Sequence, residues 1–579
     1  MKPISRHLLR AAASVVALLL LTACTDFAGH HTLYRGTHTR YTIFLPDDAS
    51  PSERSAAEEL QQVVQQMGGP LIPLTATRTG SHQLLVGVAP EGVEKPQADD
   101  ETFTYRTVGN NLYIWGGADR GTMYGVYRLL QQQWGVRWYT PTCTVIPQQK
   151  RCSFGRLDVT QTPAVPFRQL DYFTVSSQPQ WLAHNLVNTN HTPQENQWGG
   201  LISYRGCHTM PAFVPYSLFD EHPEYFCMRD GKRQNHGQLC LSNPDVLQLC
   251  KEGVLKRMRD EPLPRIYSLS QDDNFSYCQC PECQAIEAQY GGQHSGIMLW
   301  FVNQVADYVR DEFPDKYVGT FAYQYTRTPP TGITPRDNVV VRLCSIECCF
   351  GHPFTAGCEQ NEAFMRDLQT WGQLAPHLFI WDYVVDYAQY LAPWPNFQVL
   401  AENIRTLRDN HAIGIYEESC YNAGASEFAD MKAWVLAELL WNPDQDVEPL
   451  VDDFIRGYYG QAAPQVRAYY DLCQSMVTPD VHYGIFIHHD HPLYTDEFLT
   501  AATDILTQAR AAAADDETLL ERVDIVRMQV LYLYSVRHFA EARADGSWDE
   551  LKQLARRHNA QASEWKPLET WINEMESQP

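Results

Sequence analysis

Hydrophobic positions fall into short runs that alternate with amphipathic segments over the middle of the chain. Between residues 165 and 425, eight short β-like runs are separated by helical or loop segments. These runs cover residues 167–173, 186–191, 201–208, 266–271, 318–325, 339–346, 378–385 and 413–417. Eight alternations of strand and helix within about 255 residues predict a (β/α)8 barrel of the TIM type.

Segments of different patterning flank the predicted barrel. Residues 41–160 mix strand-like runs with amphipathic segments at 52–67 and 122–133, which predicts a small N-terminal α/β domain. Residues 426–579 repeat the helical period, which predicts a C-terminal helical region. The glycine-rich stretch 116–121 lacks the lysine and the spacing of a phosphate-binding loop, so we expect no nucleotide and no other cofactor.

The amino-terminal segment has the pattern of an export leader. Three basic residues precede an apolar run over 11–21, which is too short to span a bilayer. The run ends in Leu-Thr-Ala followed by Cys24, which is typical of a bacterial lipoprotein cleavage site. We therefore predict a signal peptide at 1–23, lipidation of Cys24 and a tether at 24–40. The protein would then be anchored to a bacterial membrane, on its periplasmic side or at the cell surface.

Amino-acid composition and net charge limit the kinds of molecule that the protein is expected to bind. Of 579 residues, 44% are hydrophobic and 20% are charged, which is typical of a globular protein, and the formal net charge is −24. Nucleic acids and anionic lipids are negatively charged, so proteins bind them through positively charged surfaces. We therefore expect no nucleic-acid partner and membrane contact through the lipid anchor only.

Acidic and aromatic residues recur where the predicted strands end. The carboxyl ends of all barrel strands meet at one face, where barrel proteins place their active sites. Aromatic rings stack on sugar rings, and paired acids transfer protons at a glycosidic oxygen, so this set predicts a cleft that cleaves a glycan or glycoprotein. The expected catalytic residues are Asp272, Asp273, Glu347 and Glu417. The expected substrate-binding residues are Asn274, His208, Tyr325, Trp381, Asp382, Tyr383 and Glu418.

The adjacent pair Asp272 and Asp273 supports a more specific hypothesis. Neighbouring side chains point to opposite faces within a strand, but both can turn inward where a strand breaks into a loop. Two carboxyls held close together do not both ionise easily, which suits one of them to donate a proton. Adjacent acids suit substrate-assisted hydrolysis of N-acetylhexosaminides, in which one orients the acetamide nucleophile and the other protonates the leaving group.

Fifteen cysteines follow Cys24. Cys278, Cys280 and Cys283 have the close spacing of a structural zinc site, with Cys240 as a possible fourth ligand. Disulfides and buried free thiols are the alternatives, because an exported protein meets an oxidising compartment.

Longer stretches resemble known families. Residues 116–141, GGADRGTMYGVYRLLQQQWGVRWYTP, are similar to the N-terminal domain of family 20 hexosaminidases and family 67 α-glucuronidases. Five further stretches resemble the domain-of-unknown-function 4838 proteins and, among them, glycoside hydrolase family 163. These are HTMPAFVPYSLFDEHPEYF, QLCLSNPDV, SLSQDDNFSYCQCPEC, VRLCSIECCFGHPF and MKAWVLAELLWNPDQD.

The resemblance implies an endo-β-N-acetylglucosaminidase that acts on complex N-glycans. In this family Asn often stands in place of Asp272 and Gln in place of Glu418, which favours Asp273 and Glu417 as the functional acids. Two alternatives stay open. One is an α-glucuronidase-like inverting hydrolase with Glu347 or Asp382 as its base. The other is a lipid-anchored glycan-binding protein without catalytic activity.

Overall fold

The computed structural model describes residues 30–190, 196–200 and 202–577. The predicted signal peptide and the lipidation site Cys24 lie outside the described residues. Within the described ranges, none of the helices is both long enough and apolar enough to cross a membrane. The described residues divide into two compact units: 30–137, 144–162 and 196–199 form the first, and 138–143, 163–190, 200 and 202–577 form the second.

The first unit is an α/β domain with two sheets and two long helices, Pro51–Gln66 and Gly121–Trp134. Its six-stranded sheet has the order Asp158–Gln161, Phe103–Val108, Asn111–Gly116, Gln83–Val86, Thr42–Phe44 and Leu74–Thr75. Its three-stranded sheet has the order Arg151–Phe154, His31–Arg35 and His38–Thr39. Ser50 begins the first helix with a capping box, in which its hydroxyl accepts from the Glu53 N–H and the Glu53 carboxylate accepts from the Ser50 N–H.

The tether expected at 24–40 includes residues that belong to this domain. His31–Arg35 pairs with Arg151–Phe154 in an antiparallel ladder. Leu33 and Tyr34 are buried on this strand, so burial of their apolar side chains stabilises it. The folded domain therefore begins before residue 41.

The second unit contains the predicted (β/α)8 barrel, which is confirmed as a nearly closed sheet of eight parallel strands. The strands are β1 Phe167–Asp171, β2 Thr189–Asn190, β3 Ile202–Arg205, β4 Ile266–Ser268, β5 Tyr317–Ala322, β6 Val339–Cys344, β7 Leu378–Tyr383 and β8 Ala412–Glu418. Their order around the sheet is β1-β8-β7-β6-β5-β4-β3-β2. Between β1 and the segment before β2, the Arg168 N–H donates to the Asn188 side-chain oxygen at 2.9 Å.

Inward-facing side chains fill the barrel below its carboxyl end. Tyr204, Ile266, Val340 and Phe379, from four different strands, form one buried cluster. On β8 the inward position is Gly414, where a Cβ would lie 1.6 Å from an atom of the Phe379 ring. Glycine is therefore required there, because the interior is packed to the density of a solid.

Helices follow the strands and then continue to the carboxyl end of the chain. Those between the barrel strands are Pro179–His184, Met210–Phe213, Pro244–Asp260, Pro281–Gln289, His294–Arg310, Glu359–Leu374 and Phe397–Asp409. Those after β8 are Ala429–Trp441, Val447–Tyr459, Ala463–Ser475, Asp496–Ala512, Glu517–Arg537, Phe539–Asp545, Ser547–Arg557 and Leu568–Glu576.

Candidate active site

An open cavity of about 610 Å³ lies at the carboxyl ends of the barrel strands. Its volume falls within the usual range for small-molecule sites, about 300–1,000 Å³. Its acidic lining residues are Asp171, Asp273, Glu418 and Glu564. Its aromatic lining residues are His208, Phe321, Tyr323, Trp381, Tyr383, Tyr387, Tyr416, Tyr421, Phe486 and Trp565. A second cavity, of about 570 Å³, lies among the C-terminal helices, away from these strand ends.

One wall of the cavity is formed by Asp273, in the loop after β4, and by residues that follow β3 and β5. Tyr323 donates its hydroxyl to Asp273 Oδ1 at 3.0 Å, which orients the carboxyl group. Burial, together with the nearby Asp273, raises the pKa of Tyr323, so it stays a phenol and a donor. The His208 Nδ1–H donates to the Gln271 carbonyl oxygen at 2.8 Å. His208 and Gln324 both have positive φ, 49° and 52°, and such strained backbone is common at functional sites.

The opposite wall is formed by the ends of β7, β8 and β1. The indole N–H of Trp381 donates to Glu418 Oε2 at 2.6 Å. Burial raises the pKa of Glu418 to about 8. The Tyr416 hydroxyl donates to Asp171, which lies at the end of β1 and is aligned with Glu418 in the parallel ladder.

A buried arginine lies beneath this wall, inside the barrel. The Arg342 guanidinium is 3.6 Å from the centroid of the Tyr204 ring and 5.3 Å from those of both Trp381 and Tyr416. Cation–π contacts of this kind hold the two cavity-lining rings in place.

The mouth of the cavity is bordered by residues from the C-terminal region. Phe486 and Trp565 are 48% and 65% exposed, with ring centroids 5.5 Å apart. Glu564 accepts from the Tyr421 hydroxyl at 3.0 Å, and its backbone N–H donates to the Tyr387 carbonyl at 3.0 Å. Burial raises the pKa of Glu564 as well. Glu564 and Trp565 belong to the connection between helices Ser547–Arg557 and Leu568–Glu576, the C-terminal loop. The contacts of Glu564 attach this loop to the loops after β7 and β8.

The two acids of the Asp272–Asp273 pair do not face the same space. Asp273 lines the cavity and is exposed. Asp272 is not among the lining residues; it accepts from the Tyr216 hydroxyl and from the Asn274 amide, the latter at 3.0 Å. Asn274 in turn accepts from the Ser276 N–H at 3.0 Å, so Asp272 and Asn274 stabilise the loop that presents Asp273.

Glu417 and Asp382, expected at the site, lie outside the cavity because side chains alternate along a strand. Trp381 and Tyr383 on β7 and Glu418 on β8 line the cavity, so the intervening residues point to the other face of the sheet. Glu417 and Asp382 are aligned on neighbouring strands, 1% and 5% exposed. Burial raises the pKa of both, and for Glu417 the adjacent Asp382 adds to the effect.

Glu347 and Tyr325 are also absent from the cavity lining. Glu347 accepts from the Arg327 guanidinium at 2.9 Å. The ring of Tyr325 packs against Tyr277 and His294, with centroids 5.4 and 5.7 Å apart. Of the residues expected at the site, the structure thus brings together Asp273, His208, Trp381, Tyr383 and Glu418.

The cysteine cluster suggested by sequence spacing is assembled in the structure. The sulfur atoms of Cys240, Cys278, Cys280 and Cys283 lie within 4.8 Å of one another, and all four residues are buried. Cys240 Sγ is 3.7 Å from Cys280 Sγ and 3.9 Å from Cys283 Sγ. Four sulfurs bound to one tetrahedral Zn²⁺ would be about 3.8 Å apart, so this group suits a structural zinc ion.

Several lining residues were not anticipated from sequence. Asp171 lies within the first predicted strand, 167–173, but ends β1 in the structure, so the predicted strand end did not identify it. Glu564, Trp565 and Phe486 belong to connections between C-terminal helices, where no strand-end pattern marks them.

The fold and the site define a barrel protein with an acidic, aromatic-lined cavity at the face where such barrels carry out their function. Residues 138–471 match the family described as domain of unknown function DUF4838. This match covers more than half of the chain, so the chain belongs to the DUF4838 family. None of the curated proteins compared with the chain matches it.

Solved structures share the fold at low sequence identity. A GH115 4-O-methyl-α-glucuronidase with specificity for decorated arabinogalactans is 10% identical, over 93% of this chain and 78% of that one, with a TM-score of 0.54. A GH138 enzyme targeting pectin rhamnogalacturonan II is 11% identical, over 93% and 98%, with a TM-score of 0.50. The chitobiase of Flavobacterium johnsoniae is 11% identical, over 95% and 96%, with a TM-score of 0.46. The first two similarities establish the fold alone.

Proposed function

We propose that this protein is a glycoside hydrolase that cleaves β-linked N-acetylglucosamine in N-glycans with retention of configuration, as the resemblance to family 163 implies. The observation that carries the proposal is the cavity, which places acids on facing walls beneath an aromatic mouth. Aromatic faces bind sugar rings, and the acids supply the proton transfers that glycosidic cleavage needs. Carbohydrate substrates are compatible with this fold, since the GH115 enzyme has specificity for decorated arabinogalactans.

In this proposal Asp273 is the general acid. Tyr323 holds Oδ1 of its carboxyl group. The other oxygen, Oδ2, donates its proton to the glycosidic oxygen as the bond to the leaving group breaks. The carboxylate that results then takes a proton from the water that attacks in the second step. The acetamide oxygen of the substrate attacks the anomeric carbon, so no protein nucleophile is required.

The residue assigned to orient the acetamide group of the substrate is Glu418, which lies on the opposite wall. β4 and β8 lie four positions apart in the eight-stranded order, so Asp273 and Glu418 face each other across the barrel mouth. The Trp381 indole N–H fixes Oε2 of Glu418, and Oε1 accepts from the acetamide N–H, which turns the acetamide oxygen toward the anomeric carbon. The orienting role first expected for Asp272 passes to Glu418, because Asp272 is held by Tyr216 and Asn274.

A second candidate mechanism is inversion, and one observation favours it. Inverting glycosidases place an acid and a base on opposite sides of the sugar, as Asp273 lies opposite Asp171 and Glu418. The anomer of the first product, read by NMR before mutarotation, distinguishes the mechanisms. A β-anomer and inhibition by a thiazoline analogue of the cyclised acetamide support retention, and an α-anomer without such inhibition supports inversion. Binding of glycans without any turnover would identify a non-catalytic binding protein.

The variant Asp273→Asn tests the general acid. Loss of such an acid costs about 10²–10⁴-fold in rate on natural glycan, and far less on an activated aryl glycoside whose leaving group needs no proton. Asp272→Asn is the matched control, because its side chain lies in the same loop outside the cavity, and its activity on glycan should stay within a few-fold of wild type. Near wild-type turnover of glycan by Asp273→Asn would reject the assignment.

We also propose that the protein is exported and held at a membrane through lipid on Cys24. The support is the leader pattern that ends at this cysteine. Cys24→Ser should abolish palmitate labelling and move the protein out of the membrane fraction, since the thioether needs this sulfur. A labelled, membrane-bound Cys24→Ser protein would contradict the proposal.

A further inference from the structure

A second group of potential metal ligands lies beyond the carboxyl end of β6, and none of its members lines the cavity. Cys349, His352 and Cys358 belong to the loop between β6 and helix Glu359–Leu374. His482 comes from the connection between helices Ala463–Ser475 and Asp496–Ala512. One ligand atom from each of the four residues lies within 4.8 Å of the other three.

The separations of the ligand atoms match those of a tetrahedral ion. Cys349 Sγ is 3.5 Å from His352 Nδ1 and 3.6 Å from His482 Nδ1, and Cys358 Sγ is 3.4 Å from His352 Nδ1. With Zn–S near 2.3 Å and Zn–N near 2.0–2.1 Å, a tetrahedral centre places sulfur and nitrogen about 3.5–3.6 Å apart. Three of the six separations thus already match a zinc centre, and the other three are no longer than 4.8 Å.

Hydrogen bonds outside the group prepare its ligands. His352 Nε2 lies 3.1 Å from the Thr478 carbonyl oxygen, which can only accept, so Nε2 carries the hydrogen and Nδ1 presents its lone pair to the sulfurs. Asn361 is fully buried and holds the loop: its side chain accepts from the Cys349 N–H at 2.8 Å and donates to the carbonyls of Cys349 and His352 at 3.1 and 3.2 Å. Metal sites commonly have such fixed supports.

We propose that Cys349, His352, Cys358 and His482 bind one structural Zn²⁺. Thiolate and imidazole ligands in tetrahedral geometry select zinc, and four protein ligands leave no open position for catalysis. Binding displaces the protons of the two thiols, so loading is favoured as pH rises.

The zinc ion would join the β6 loop to a wall of the cavity. His482 lies a few residues before Ile485 and Phe486, and both of these line the cavity. The Phe350 N–H, in the loop after β6, donates to the Tyr483 carbonyl at 2.9 Å. This hydrogen bond attaches the connection that carries His482 to the same loop. The role of the metal is thus to fix the position of this wall.

Zinc content tests the site in the full-length chain. After dialysis against a mild chelator, the double variant Cys349→Ser/His482→Ala should hold one zinc ion fewer per chain than wild type by plasma mass spectrometry. His488→Ala, which changes an exposed histidine of the same connection, is the control and should match wild type. Zinc at the Cys240 group adds equally to all three proteins, and equal zinc in the double variant and wild type would overturn the proposal.

A second measurement needs no variant. In wild type, Cys349 and Cys358 should react with an alkylating reagent only after zinc is removed with a strong chelator, whereas the exposed Cys207 reacts in both conditions. Peptide mass spectrometry without reduction measures the alkylation of each cysteine and detects any disulfide. Reactivity that does not change with chelation, or a disulfide between Cys349 and Cys358, would overturn the proposal.

Discussion

Replacing Glu417 by Gln should stabilise the second unit at alkaline pH and change little at acidic pH. Glu417 is 1% exposed and lies beside Asp382, and burial raises its pKa well above the usual value. In the unfolded chain a glutamate titrates at about pH 4.3. The folded state therefore holds a proton that the unfolded state releases. This contribution to stability is complete below about pH 4.3 and is lost as pH rises through the folded-state pKa.

The size of the effect follows from this linkage. Each pH unit between the two pKa values changes the free energy of unfolding by about 1.4 kcal/mol, so the interval from pH 5 to pH 8 is worth at most about 4 kcal/mol. A unit of about 420 residues has an unfolding entropy of roughly 0.9 kcal/mol/K, so this corresponds to about 4 °C in melting temperature. Glutamine has no proton to release, so the variant lacks this slope.

Calorimetric melting temperatures at pH 5, 6, 7 and 8 would measure the difference. Wild type and Glu417→Gln should nearly coincide at pH 5 and diverge steadily, with the variant higher at pH 8. Glu252→Gln is the control, because Glu252 is exposed on helix Pro244–Asp260 in the same unit, and it should follow wild type at every pH. Parallel curves for Glu417→Gln and wild type would refute the reasoning.

Two further predictions concern packing and the cavity mouth. Gly414→Ala should lower soluble yield and melting temperature strongly, since its Cβ would lie 1.6 Å from the Phe379 ring; a variant as stable as wild type would contradict the packing described for the barrel. Trp565→Ala should raise KM about tenfold for an extended glycan and little for a short aryl glycoside, since loss of one aromatic contact is worth about 1–1.5 kcal/mol. Equal changes for both substrates would exclude a role for the cavity mouth in binding the longer chain.

The barrel could be predicted because its strands are apolar runs of regular spacing. The runs at 266–271, 318–325, 339–346, 378–385 and 413–417 all overlap strands of the structure. The weakest runs, at 186–191 and 201–208, correspond to β2 and β3, which are only two and four residues long. Short strands leave little periodicity in a sequence, so their limits could not be set.

The site could be predicted only in part. Position at a strand end identified Asp273, Trp381 and Glu418, all of which line the cavity. The same criterion selected Asp382 and Glu417, although alternation along each strand already separates them from their neighbours. If Trp381 faces into the barrel, alternation places the Asp382 side chain on the opposite face of the strand. The sequence alone would then have excluded Asp382 from the site. Glu564 and Trp565 reach the cavity through tertiary contacts over more than 140 residues, which local patterns do not record.

The contacts of the C-terminal loop determine where the chain can be shortened. The family match ends at residue 471, and a protein cut soon after it would retain all eight barrel strands. It would lack Phe486, Glu564 and Trp565, together with the hydrogen bonds that Glu564 makes to Tyr387 and Tyr421. The cavity would then open on one side to a shallow basin, with the acids of the strand ends exposed to water. The smallest fragment with a complete cavity therefore extends beyond the segment that matches the family and includes the connection at 558–567.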